Sequence, residues 1–199
     1  MEERLEQVHR YWFGDCENDG GVIKQKGKLW FGKDEVVDQA IREQFSDLVE
    51  LASGQRIKTD GLKPQLRLAV ILLLDQFTRN IYRNDPRSFA SDPLARMLAQ
   101  ELIDRSAEDL RPVERVFLYL PLEHSEELDD QKKSVALFRH LYQSVAEEVK
   151  EAFGGFFDYA VRHHDIIARF GRFPHRNKIL GRTSTAEELK FLSQPGSSF

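Results

Sequence analysis

Three stretches of the sequence hold side chains whose types and spacing suit chemistry. Asp75 directly follows the apolar run Ile71-Leu72-Leu73-Leu74, with Arg79 four residues on and Arg83 four more. On a helix these three share one face, and Gln76 and Asn80 form an adjoining polar row. A buried carboxylate must be paired, or its pKa rises until it is neutral. Asp75 therefore reads as a structural ion pair with an arginine on its own or a neighbouring helix, and the polar rows as one wall of a pocket. The second stretch is Glu123-His124-Ser125-Glu126, just after Pro121. Ser125 suits an N-cap. His124, flanked by carboxylates, suits general acid–base work near neutral pH, with Glu123 to orient it.

The third stretch, FGRFPHRNKILGR at 170–182, gathers Arg172, His175, Arg176, Asn177, Lys178 and Arg182 around Gly171 and Pro174, which interrupt any helix. Arginine holds carboxylate or phosphate with two parallel hydrogen bonds, and a loop leading into a helix offers free amides. The interleaved Phe170, Phe173, Ile179 and Leu180 would pin such a loop to the core. An anion site and a network paired with the chain's own acids, such as Asp75 or Glu123, are both open here.

Other motifs fail. There is no G-x-S-x-G elbow. Gly21 to Lys28 lacks phosphate-loop spacing and has Leu29 where Ser or Thr is required. Only Glu6 with His9 has the Glu-x-x-His spacing of a di-metal bundle. His163-His164-Asp165 would point in different directions on a helix. No metal or cofactor is expected.

The elements that must position these residues read as helices. Leu5, Val8 and Trp12 share a face ended by Gly14. Residues 15–32 read as a polar, glycine-containing connection. Asp34 caps a helix with Val37, Ile41, Phe45, Leu48 and Ala52 inward, closed by Ser53-Gly54. Pro64 opens a central helix, apolar nearly all round, that runs to Tyr82 before Asn84-Asp85-Pro86. Further helices start at Ser91 or Asp92 and at Pro112, the latter ended or kinked by Pro121. A long helix follows from about Glu126, with Leu128, Val135, Phe138, Leu141 and Val145 inward. Gly154-Gly155 separates it from a helix carrying Tyr159, His163, Ile167 and Phe170, closed by Gly171. A capping box at Ser184/Glu187 or Thr185/Glu188 starts a last helix with Leu189 and Leu192. No segment alternates with period two. The expectation is an all-α, compact multi-helix array in one domain over 1–199.

Composition limits the functions. The 14 phenylalanines among 199 residues imply a packed interior. A net charge of −4 argues against general nucleic-acid binding but leaves room for a local basic pocket. A lone cysteine, Cys16, suits a reducing cytoplasm, and the charged start is not expected to be a signal peptide. No apolar run is long enough to suggest a membrane span.

Together, RYWFG, LWFGKDEVVDQAIREQF, LLDQFTRNIYR, SFASDP, FLYLPLEHSE and RFGRFPHRNKILGRTSTAEELKFL resemble the bacterial family called domain of unknown function 924, over nearly the whole chain. Thr78 stands where that family usually shows proline. The resemblance implies an all-helical fold related to tetratricopeptide-like superhelices and implies no reaction. The candidate residues therefore come from residue chemistry. Asp75, Arg79, Asn80, Arg172, Arg176 and Asn177 would grip a small anionic molecule or acidic peptide. Alternatively, in a hydrolase or transferase of a small anionic substrate, His124 or His175 would move a proton, Glu123 or Asp75 would orient it, and the arginines would hold the substrate. In a third reading, the same polar groups serve only the fold.

Overall fold

The computed structural model describes residues 1–197, and the expected domain span of 1–199 ends in two residues outside them. The described residues form helices joined by turns and loops, with no strand. The helices are α1 (Glu2–Phe13), α2 (Asp19–Phe31), α3 (Glu35–Ser53), α4 (Pro64–Leu72), α5 (Thr78–Ile81), α6 (Asp92–Ser106), α7 (Pro112–Glu123), α8 (Leu128–Ser144), α9 (Lys150–Phe170) and α10 (Ala186–Leu192). A π-helical turn, Leu73–Phe77, joins α4 to α5.

The caps form where the residue types ask for them. Asp34 accepts from Val36 N, Pro64 and Pro112 open their helices, and Gly171 closes α9 at φ 68°. Thr185 and Glu188 form the reciprocal capping box.

The core is strongly aromatic. The Phe117 ring meets Trp12, Phe13 and Trp30 at centroid separations of 5.5, 5.5 and 4.8 Å. Phe77 meets Trp12 and Phe45 at 5.3 and 5.2 Å. As their composition predicts, α4 and the π turn are buried nearly all round: Leu68 and Ala69 of the helix and Leu73 and Leu74 of the turn are fully inaccessible. Helix α4 packs between α1 and α6, while α7, α8 and α9 pack in succession. That succession is compatible with tetratricopeptide-like stacking.

Four expectations need correction. Residues 19–31 are helical and not a connection. Asn18 caps this helix by accepting from Gly21 N at 2.7 Å. Burial of Val22 and Trp30, whose indole donates to Trp12 O at 3.0 Å, offsets the helix cost of the glycines. Gly21 is required there, because a Cβ would lie 2.3 Å from Cys16 Sγ.

Gly154-Gly155 separates nothing, for α9 runs through both. A Cβ on Gly154 would make only an ordinary contact, 3.4 Å from the Tyr142 ring of α8, so the helix accepts glycine there without requiring it. The break instead falls at residues 145–149, around the 3₁₀ turn Glu147–Val149.

Of the two outcomes expected at Pro121, an end or a kink, the end is not the one found, for the helix continues to Glu123. Finally, Leu128, Tyr159 and Leu189 face outward. At the last position it is Glu188 that turns inward, drawn by Arg172 and the cap.

Candidate functional site

Asp75 lies in the π turn, 1% exposed. A π turn admits one extra residue to a helix and re-aims the side chains around it. The Asp75 carboxylate is fully engaged. Oδ1 is 2.7 Å from His124 Nδ1 and 3.3 Å from Arg79 Nη1. Oδ2 accepts from Gln76 Nε2 at 2.6 Å. Burial alone would push this carboxyl up, but Arg79, His124 and Gln76 outweigh it and hold it below the usual carboxylate range. Arg79 also donates to its own turn, at Asp75 O, and grips Asp92 at the start of α6 with two 3.0 Å bonds.

His124 is the C-cap residue of α7. Burial lowers its pKa below the ordinary histidine value, Asp75 pulls it up, and Arg79 pushes it down again, with the net shift downward. A neutral ring beside an ionised carboxylate donates Nδ1–H to Asp75, which leaves Nε2 as the basic nitrogen.

The C-terminal loop is fastened to this centre by paired charges. Arg182 grips Glu126 with bonds of 2.7 and 2.9 Å, and Glu126 also accepts from Phe173 N at 2.8 Å. Arg172 grips Glu188 at 2.6 and 2.8 Å. Arg176 differs. Its guanidinium stacks between Phe89 and Phe173, 4.7 and 4.4 Å from the ring centroids. It is 6% exposed, and its Nε has no hydrogen-bond partner among the described residues. Its ion pair to Asp92 is long, at 3.5 Å. Burial and the neighbouring Arg79 lower its pKa to about 10.

A cleft of about 370 Å³ opens on this centre, with Phe89, Asp92, Pro121, His124, Glu126 and Arg176 in its lining. The structure thus gathers Asp75, Arg79, His124 and Arg176 from three distant parts of the chain. Other candidates lie apart from the cleft lining. Asn80 donates to Asp38 at 2.8 Å, alongside Arg83, which donates to the same oxygen at 2.7 Å. Asn177 is buried, donating to Ser184 Oγ at 3.1 Å and accepting from Arg182 at 2.9 Å. Arg172 is the loop latch already described. Glu123 is buried against His163, whose Nδ1 lies 3.0 Å from Oε1.

His175 packs its ring 5.6 Å from that of Phe173, and burial with Arg176 nearby depresses its pKa to about 3. Asp92 and the Phe89–Phe173 clamp are not singled out by residue chemistry, whereas Gln76 reads as part of a polar row and Glu126 as part of a cap. Asp92 reads from sequence only as a helix start, and an aromatic clamp carries no local signal. Among the described residues, no group of three or more His, Cys, Asp or Glu is placed to hold a metal ion. No described helix is long and apolar enough to cross a membrane.

Comparison with known proteins agrees with the motif reading. No match is found among curated proteins. The solved structure of a protein of unknown function from Agrobacterium tumefaciens is similar, at 34% identity and a TM-score of 0.77, covering 94% of this chain and 96% of that one. A family model for bacterial proteins of unknown function, DUF924, matches residues 8–196, and the chain belongs to this family.

Proposed function

We propose that the cleft binds a small anionic molecule through Arg176, beside the Asp75–His124 pair. The observation that supports this is the uneven pairing of charge around the cleft. Asp75 is held by Arg79, Gln76 and His124. Asp92 is held by Arg79, and Glu126 by Arg182 and Phe173 N. Asp130 is held by Arg96 and Ser125. Arg176 alone among these groups keeps a buried donor with no partner and only a long contact to a carboxylate already engaged elsewhere. A buried charge short of partners is costly, and an anion placed against it relieves that cost. The stacking rings fix the guanidinium, so little side-chain freedom is lost on binding.

The cleft volume suits a small molecule better than a peptide strand. Its apolar walls, Pro86, Phe89, Ala90, Pro93 and Leu180, suit a ligand with a hydrocarbon portion beside its anionic group. A cytoplasmic metabolite is the natural source, in keeping with the lone Cys16 and a net charge of −4, which does not favour nucleic acid.

Thermal shift with acetate, succinate, inorganic phosphate and a short acidic peptide tests the reading. A ligand at a hundred times its Kd stabilises by about 2.7 kcal/mol. Wild type responds to a small anion and Arg176→Met does not. An equal response in the two proteins, or none from wild type, defeats the proposal.

A further inference from the structure

We infer that the cleft is a hydrolytic site, in which His124 Nε2 draws a proton from water for attack on an ester of a small carboxylate. This inference rests on the anion-binding reading above. The arrangement it uses is the buried relay from Gln76 through Asp75 to His124, whose ring lines the cleft. An ionised carboxylate 2.7 Å from Nδ1 selects the tautomer with Nδ1 protonated and Nε2 basic, and favours the imidazolium when it forms. Gln76, donating at 2.6 Å, holds the carboxylate in place. Asp75 and Gln76 are positioning residues, and His124 is the group that meets the substrate.

Water is the nucleophile because the neighbouring hydroxyl is already engaged. Ser125 Oγ accepts from Arg96 Nη1 at 2.6 Å and donates to Asp130 at 2.7 Å, so it is not presented to His124. The charge of the cleft selects the substrate. A phosphate dianion would face Asp92, Glu126 and Glu127 in the lining, whereas a monocarboxylate needs only the donors of Arg176. A carboxylate also matches the planar fork of a guanidinium.

The step balances without a co-reactant other than water. A water proton passes to Nε2 as the oxygen bonds to the acyl carbon. The acyl C–O bond then breaks, its electron pair leaves with the alkoxide, and that oxygen takes the proton back from His124. The products are a carboxylic acid and an alcohol, and Asp75 stays ionised throughout. Arg96 and Arg176, both in the lining, provide the positive field for charge developing on the carbonyl oxygen.

The probe is mono-p-nitrophenyl succinate, with succinate as the non-reacting ligand. Wild type hydrolyses the probe, and His124→Gln loses about 10²- to 10⁴-fold in kcat while its succinate affinity, read by calorimetry, is retained. The acid limb of kcat/KM lies below the ordinary histidine pKa. Burial and Arg79 lower it, and Asp75 and Asp92 raise it; the His163 ring lies 6.2 Å away, and His175 is within reach of the His124 charge.

Nitrogen-15 NMR of His124 in wild type provides a reading that needs neither turnover nor a variant that folds. At pH 7, Nδ1 carries the proton and Nε2 does not, the tautomer that the proton transfer requires. Succinate bound without hydrolysis of the probe, equal hydrolysis by His124→Gln, or a protonated Nε2 each overturns the catalytic inference while leaving anion binding in place. Binding of acetate or phosphate but not succinate overturns the catalytic inference alone, and failure of wild type to bind any small anion removes both.

Discussion

Arg176 shows how one side chain can favour a ligand and burden the fold together. Its stem and rings bury well, but its charge lacks full compensation. Arg176→Met keeps the stem packing and removes that charge. Asp92 is not orphaned by the change, because Arg79 grips it with two bonds. We therefore expect Tm to hold or rise by up to about 4 °C, the equivalent of about 1 kcal/mol or slightly more in a chain of this size. A clear fall in a thermal melt would mean that the long Asp92 pair contributes more than its geometry indicates.

His175 makes a second prediction at the same scale. In the unfolded chain it titrates near 6.5, while in the folded protein its pKa is about 3. As pH falls through that window the unfolded chain takes the proton first, so unfolding gains and stability drops. The contribution approaches about 1.4 kcal/mol per pH unit between the two values. Urea titrations at pH 6 and pH 4 should show wild type losing more stability than His175→Gln, and equal losses would contradict the depressed pKa.

At the scale of elements, the site depends on two interruptions of helix. The π turn presents Asp75, and the end of α9 starts the loop that returns Arg176 to α6. The second was legible: Gly171, followed by Pro174, reads as a stop from sequence alone. Gly171 adopts φ 68°, and a Cβ there would meet nothing within 4 Å. Gly171→Ala therefore isolates the conformational cost of the left-handed backbone, and we expect a loss of about 1–2 kcal/mol by urea unfolding. The π turn was not legible, because nothing in LLLDQF distinguishes it from ordinary helix. The glycines at 20, 21, 154 and 155 misled the reading of α2 and α9 for a related reason. A glycine marks either a weak helix or a close contact, and only the neighbour decides: Cys16 crowds Gly21, whereas Gly154 and Gly155 leave room for a Cβ.

Across the whole molecule, the aromatic interior ties the N-terminal helices to α7, whose end carries His124. Phe117 is 1% exposed at the centre of this cluster. Phe117→Ala leaves a cavity that rigid rings do not fill, and should cost about 3–5 kcal/mol in denaturant unfolding. A loss below about 1 kcal/mol would show that the rings relax into the space.

By itself the sequence determined the helical class, most helix limits and the family, since periodicity, caps and ordered motifs are properties of neighbouring residues. It also supplied Asp75, Arg79, His124 and Arg176 as chemically capable groups. Which of them meet was decided only by the tertiary structure. Arg172 and Arg182 resemble Arg176 in their loop, yet those two find carboxylates at full contact while Arg176 lies between two rings with one nitrogen unsatisfied. Pairing is a matter of distance between remote segments, and a side chain's partner in space leaves no mark on its place in the chain.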